Sequence, residues 1–169
     1  MSDNRSGGPS TKQSLEALYE KMSTVVRANL ERAGTLTEET LDRALKEARD
    51  WARQLKEQYG EDVPKVAEYL RRDFQEAVRQ AGKQTRRSLD LDRIGVGILG
   101  FVQKMAERAG SQLESFASKL DERLTYKTGE VAGPGTLTCT QCSQHLSFDS
   151  ASRIPPCPKC HNTTFRRGY

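Results

Sequence analysis

All four cysteines of this 169-residue chain lie in its C-terminal part, and they form two closely spaced pairs. The pairs read Cys139-Thr-Gln-Cys142 and Cys157-Pro-Lys-Cys160, with fourteen residues between them. Two residues between cysteines let one tight turn direct both sulfurs at one point, and two such turns complete a tetrahedron of thiolates. The spacing therefore predicts a structural zinc site with Cys139, Cys142, Cys157 and Cys160 as ligands and no open coordination position.

Other uses of these cysteines are less consistent with the sequence. Two disulfides need an oxidising compartment, but residues 1–10 contain no apolar stretch that could act as a secretory signal, so we expect a cytoplasmic protein. A thioredoxin-like pair needs a βαβ context, which surrounds neither pair. The c-type haem pattern Cys157-Pro-Lys-Cys160-His161 requires export and leaves Cys139 and Cys142 without a role. Iron in a rubredoxin-like site stays open beside zinc, because thiolates bind both metals.

The residues around the cysteines predict a small β-rich ribbon. Leu146 and Phe148 alternate with polar residues, as on a half-buried strand, and Phe165 lies in another run of β-forming residues. Such a segment has too few apolar side chains to fold unaided, so the metal must supply much of the folding free energy. We assign residues 136–169 to the ribbon and residues 126–135 to a linker in front of it.

The chain before the linker is predicted to be helical. Apolar residues recur there at spacings of three and four, a first helix is expected from Ser10 or Thr11 to Gly34, and Thr37 is expected to cap the next. The predicted fold class is mainly α: an elongated, coiled-coil-like helical hairpin or bundle over residues 10–125, after a disordered N-terminus over residues 1–9. A hydrophobic content of 35% gives narrow apolar seams, which a second copy of the chain could complete.

The sequence favours neither an enzyme nor a membrane protein. His145 and His161 are the only histidines, no nucleophile can be paired with a base, and the predicted metal site is closed. The segment Gly95–Gly100 spells GxGxxG, but no strand precedes it as dinucleotide binding requires. The apolar run 94–102 is also far shorter than the ~20 residues of a membrane span. We therefore expect a non-enzymatic protein without a transmembrane segment.

The charge of the ribbon bears on its partner. The net charge of the chain is +4, and half of it falls on residues 129–169. Phe165, Arg166, Arg167 and Tyr169 combine the cationic and aromatic chemistry that contacts nucleic acids. Because the charge is modest, we favour a protein partner, and a nucleic-acid-associated factor of the ribosome or the transcription machinery is the alternative.

The C-terminal segment resembles the YbeL-like zinc-ribbon family of small, uncharacterised bacterial proteins, which join a helical region to a four-cysteine ribbon. The likeness rests on residues 129–142, on His145-Leu146 and on residues 157–167. The resemblance implies zinc at the four cysteines and brings no established activity. One departure is His161, where such ribbons usually place glycine, so we expect a strained turn with positive φ at this position.

Overall fold

The computed structural model describes residues 11–55, 59, 61–84, 97–120 and 124–168. Within these residues the chain forms four helices followed by six short strands, which confirms the predicted fold class of a mainly α protein with a small β ribbon. The predicted disordered segment 1–9 lies outside the described residues. The helices are α1 (Thr11–Ala33), α2 (Glu38–Gln54), α3 (Val63–Gln84) and α4 (Ile98–Ser118). The strands are β1 (Thr125–Lys127), β2 (Val131–Ala132), β3 (Gly135–Cys139), β4 (His145–Phe148), β5 (Ser152–Arg153) and β6 (Thr164–Gly168).

Local signals set the boundary between the first two helices. The helix α1 ends at Ala33, and the next residue, Gly34, adopts the left-handed conformation with φ 69° and donates its N–H to the Leu30 carbonyl at 3.0 Å. The predicted cap at Thr37 is confirmed. Its hydroxyl accepts from the backbone N–H of Thr40 at 3.2 Å, and the Thr40 hydroxyl accepts from the Thr37 N–H at 2.8 Å.

The helices pack through apolar stripes into one core. The helix α1 contacts α2 and α3, and α3 contacts α4 along much of its length. Phe74 of α3 and Phe101 of α4 meet edge to face, with ring centroids 6.2 Å apart. The helix α4 is interrupted at Ala109, whose backbone leaves the helical conformation. No helix within the described residues could serve as a membrane span. The predicted pairing of two copies through the helical seams stays a prediction.

The ribbon contains two antiparallel sheets. Four strands form one sheet in the order β1-β6-β3-β4, and β2 pairs with β5 in the other. The structure differs here from the expected linker, because segment 126–135 contains strand residues with buried side chains. Tyr126 is fully buried opposite Phe165, and Val131 and Ala132 are fully buried as well. Strands of two or three residues are too short to show the alternation on which the sequence analysis depended.

The ribbon rests directly on the helical bundle. Its β2 and β5 strands lie against α1, and β2 also contacts α3. Val131 and Ala151 of the ribbon belong to the same apolar core as the helices. The backbone N–H groups of Ala151 and Arg153 each donate to a glutamate of α1 at 3.0 Å. The two parts therefore share a packed and hydrogen-bonded interface.

A buried carboxylate lies at the centre of this interface. Asp73 of α3 has a fully buried side chain that accepts from the Tyr19 hydroxyl and, at 2.8 Å, from the backbone N–H of Gly133. Arg167 of β6 places a guanidinium nitrogen 3.8 Å from the same carboxylate. Desolvation, followed by the negative charge of Asp73, raises the pKa of Tyr19 well above its ordinary value, so its hydroxyl stays a donor.

The neighbouring Arg72 makes a second set of contacts with the ribbon. Its guanidinium forms an ion pair with Glu130 and donates to the Val131 carbonyl at 3.0 Å. It also lies over the ring of Tyr126, with the guanidinium carbon 3.9 Å from the ring centroid, and Arg167 lies 5.4 Å from the same centroid. Bundle and ribbon are thus joined by adjacent residues of α3.

We expect Asp73→Ala to destabilise the protein by about 3–5 kcal/mol, because it leaves buried donors and a buried guanidinium without their carboxylate. The matched control is Asp42→Ala. Asp42 also pairs with an α3 arginine, Arg71, but its side chain is 48% exposed, and such pairs contribute about 0–1 kcal/mol. Urea unfolding followed by far-UV circular dichroism measures both changes. Equal losses of unfolding free energy in the two variants would contradict the role given to Asp73.

Candidate metal centre

Each cysteine pair lies on a turn with the same hydrogen bonds. In the first turn, the N–H of Ser143 donates to the Cys139 carbonyl at 3.1 Å, and the N–H of Cys139 donates to the Gln144 carbonyl at 2.8 Å. In the second turn, the N–H of His161 donates to the Cys157 carbonyl at 2.9 Å, and the N–H of Cys157 donates to the Asn162 carbonyl at 2.9 Å. These bonds fix both cysteines of a pair on one side of the turn.

The residue after each pair adopts a left-handed backbone. Ser143 has φ 60° and His161 has φ 58°, and within the described residues no other non-glycine position has a positive φ. A residue with a Cβ atom pays roughly 1–2 kcal/mol for this conformation, which glycine adopts freely. The strained positive-φ turn expected at His161 is therefore confirmed in conformation, and Ser143 is its counterpart in the first turn.

The two turns bring the four sulfurs together. All four Sγ atoms lie within 4.8 Å of one another, and the sulfurs of Cys139 and Cys160, like those of Cys142 and Cys157, are 3.6 Å apart. An ion about 2.3 Å from each sulfur of a regular tetrahedron would separate the sulfurs by roughly 3.8 Å, so the donor set fits a tetrahedral thiolate-bound metal. All four cysteines are free thiols, and neither His145 nor His161 belongs to the cluster.

The sulfurs differ in their electrostatic surroundings. Desolvation raises the pKa of Cys139, but hydrogen bonds from N–H groups of its own turn and from Asn162 outweigh it, and the pKa falls to about 6. The pKa of Cys157 is also lowered, because the N–H groups of the second turn outweigh desolvation. A backbone hydrogen bond at Asn162 lowers the pKa of Cys160, yet desolvation and the neighbouring sulfurs together raise it to about 12. A cation bound at these sulfurs would therefore compete with a proton at Cys160.

Asn162 connects the two turns, and the sequence analysis did not identify it. Its side-chain amide nitrogen lies 3.4 Å from the Cys139 sulfur, 3.0 Å from the Thr140 hydroxyl and 2.8 Å from the Thr164 carbonyl. The amide therefore orients a sulfur of the opposite turn, as partners of metal ligands commonly do. The signal in the sequence is an amide side chain two residues after the last cysteine. Its contact with Cys139 could not be predicted, because Cys139 belongs to the other turn.

The structure corrects the proposed surface at the ribbon tip. Phe165 is fully buried in the ribbon core, so it cannot stack on a base in this fold. The side chain of Arg167 is only 4% exposed, and it donates to the carbonyl groups of Gly133 and Pro134 at 3.1 and 3.3 Å. Arg166 is exposed, and Tyr169 lies outside the described residues. The four residues therefore do not form one exposed cluster, because the alternation of the strand turns Phe165 and Arg167 inward.

Comparison with known proteins agrees with the sulfur cluster. Residues 28–168 match the model of a family described as a zinc-ribbon containing domain. The chain is also similar to the uncharacterized protein YbeL of Escherichia coli K12, with 23% identity over 133 residues that cover 77% of this chain and 83% of the relative. YbeL proteins of the E. coli strains O6:H1 (CFT073) and O157:H7 give the same values. No solved structure gives a significant match.

We expect His161→Gly to tighten metal binding. Removing the Cβ atom relieves the left-handed strain, and the greater freedom of glycine in the unfolded chain offsets part of this gain, which leaves about 0.5–1 kcal/mol. Because binding and folding are coupled, the gain should appear as a roughly two- to fivefold lower dissociation constant in competition with a chromogenic chelator. His161→Ala retains the Cβ atom and should show no gain. Weaker binding by the glycine variant than by the alanine variant would refute this expectation.

We expect Asn162→Ala to weaken metal binding by about 10–100-fold, because the amide no longer orients the Cys139 sulfur. Asn162→Asp should weaken binding further, since it places a negative charge beside thiolates. Thr163→Ala changes the exposed neighbouring side chain and is the matched control, with metal affinity expected to stay unchanged. The same chelator competition measures all three variants. Equal affinities for the alanine and aspartate variants would argue against the contact between Asn162 and the sulfur.

Proposed function

Because the chain belongs to the zinc-ribbon containing domain family, we propose that it is a non-enzymatic zinc-binding protein whose ribbon is a docking module. The observation that carries this proposal is the cluster of four cysteine sulfurs, all within 4.8 Å of one another. Four thiolates complete the coordination of zinc, so the ion has a structural role. The metal site holds the ribbon in shape, and the docking role adds that the surface of the ribbon binds a partner.

Zinc supplies the stability that the ribbon cannot obtain from its small core. The buried core of the ribbon has seven residues, and two of them are the cysteines Cys139 and Cys157. Structural zinc contributes roughly 10–16 kcal/mol in finger peptides near neutral pH, which is more than such a core provides. We place the protein in the cytoplasm, where thiols stay reduced and available to the metal.

The proposed absence of catalysis rests on the chemistry of the described surface. A four-thiolate zinc ion has no position for water or substrate. Two surface cavities of about 230 Å³ lie among the helices, and neither is lined by a cysteine or a histidine. Both are smaller than the ~300–1,000 Å³ of most small-molecule sites. These features support a binding role over an enzymatic one.

The attachment of the ribbon to the bundle supports the docking role. A ribbon fixed by Asp73, Arg72 and the apolar contacts of Val131 is already ordered, so binding need not order it again. The sequence analysis favoured a protein partner over nucleic acid, and the burial of Phe165 and Arg167 removes the surface first considered for nucleic acid. The partner class therefore depends on the residues that the ribbon does expose.

We expect protein purified without added metal to contain about one equivalent of zinc by elemental analysis, because one closed site is present per chain. Cys157→Ser should lose this zinc, and His145→Ala should retain it, since His145 lies outside the sulfur cluster. Zinc affinity should rise with pH around neutrality, because binding must displace the proton from Cys160, whose pKa is raised to about 12. Absence of metal, or iron in its place, would overturn the zinc assignment.

A further inference from the structure

The four-stranded sheet of the ribbon has one buried face and one outward face. Side chains alternate along each strand, and Tyr126, Leu137, Cys139 and Phe165 are buried on the inner face. The alternate positions, which we call the outer face, are partly or fully exposed. The outer face consists of Thr125 and Lys127 of β1, Thr164, Arg166 and Gly168 of β6, Thr136 and Thr138 of β3, and His145 and Ser147 of β4.

The composition of the outer face differs from that of a protein-docking surface. It presents hydroxyl groups, one imidazole and two cations, with no acidic and no apolar side chain. Protein interfaces are usually anchored by buried aromatic, aliphatic or arginine side chains in a desolvated centre. Phosphate groups are instead bound by arginine, lysine and hydroxyl side chains, which donate hydrogen bonds to their oxygens. The outer face therefore suits a phosphate-bearing ligand.

The strand register places Arg166 in the middle of this surface. Arg166 lies between Thr125 of β1 and Thr138 of β3, and His145 of β4 follows Thr138 in the same row. This row crosses all four strands and is roughly 14–15 Å wide at about 4.8 Å per strand. Lys127 is a diagonal neighbour of Arg166, at a Cα distance of about 7–8 Å. Two cations and several hydroxyls thus face solvent along an extended strip.

Neither Arg166 nor Lys127 forms an ion pair within the described part of the chain. Glu130, the acidic residue nearest to Lys127 in sequence, pairs with Arg72 instead. In the neighbouring row of the face, the hydroxyl groups of Thr136 and Ser147 lie 3.2 Å apart. Thr138 also bonds the His145 ring at 3.0 Å, which holds that ring on the strip. The exposed charge of the face is therefore positive.

We propose that the outer face binds the phosphate backbone of a nucleic-acid strand. This inference rests on the proposed role of the zinc ribbon as a docking module, and it names the partner class and the surface. Arg166 and Lys127 neutralise phosphates, and the threonine and serine hydroxyls donate to phosphate or sugar oxygens. Contacts of this kind with phosphate and sugar position a strand and carry no base-sequence information.

The test is a titration of the zinc-loaded full chain with labelled, mixed-sequence single-stranded RNA and DNA at several salt concentrations. Affinity falls as salt rises, and the steepness of log affinity against log salt grows with the number of phosphates that the protein neutralises. If Arg166 and Lys127 each meet one phosphate of a single strand, the double variant Arg166→Ala, Lys127→Ala should make this slope less steep by about 1.4. The matched control is Lys104→Ala with Arg108→Ala. It removes the same charge from exposed α4 positions, and its slope should stay unchanged.

Other readouts separate the possible failures. Thr125→Val, at the exposed position opposite Arg166, keeps the shape of the side chain without its hydroxyl, and weaker binding by this variant supports a direct contact. Zinc content and far-UV circular dichroism confirm that each variant remains loaded and folded. If the zinc-loaded protein binds neither RNA nor DNA at low salt, the inference is wrong and the zinc-protein proposal still stands. The same conclusion follows if the two double variants lose nucleic-acid affinity equally. Competition by polyglutamate as effective as that by RNA would instead indicate an acidic protein partner and also overturn the inference.

Discussion

The joining of ribbon and helices depends on one buried carboxylate. Asp73 is fully enclosed, and its hydrogen-bond donors come from α1 through Tyr19 and from the ribbon through Gly133, with Arg167 of β6 beside them. A buried charge without these partners would be strongly unfavourable. A side chain at position 133 would also be excluded, because its Cβ atom would lie 2.7 Å from the Tyr19 hydroxyl oxygen. Folding of the ribbon is therefore linked to the packing of the helices.

The features that the sequence predicted well are set by neighbouring residues. The end of α1 just before Gly34, the cap at Thr37 and the left-handed turn at His161 each follow from the chemistry of a few consecutive positions. The sulfur cluster is long-range, but its regular spacing made it recognisable. The ordered segment 126–135 and the bond from Asn162 to Cys139 were missed, because each depends on contacts with distant parts of the chain.

Adjacent arginines on β6 show that composition alone does not predict the surface of the ribbon. Arg166 and Arg167 have the same chemistry, yet the alternation of the strand sends them to opposite faces of the sheet. Arg167 is enclosed by Asp73, Tyr126 and the carbonyl groups near Gly133, and it serves the fold. Arg166 remains at the surface. A cluster of charges read from the sequence can thus divide into one structural residue and one residue available to a ligand.

The separation of Asp73 from its ribbon donors also has a consequence for the newly made protein. Gly133 follows Asp73 by 60 positions, and Arg167 comes later still. At roughly 5–20 residues per second, Asp73 is synthesised on the order of ten seconds before Arg167, the last of its partners in the sequence. During this interval the helices emerge without the surface that encloses Asp73. The contacts that enclose Asp73 can therefore form only after the ribbon has been synthesised.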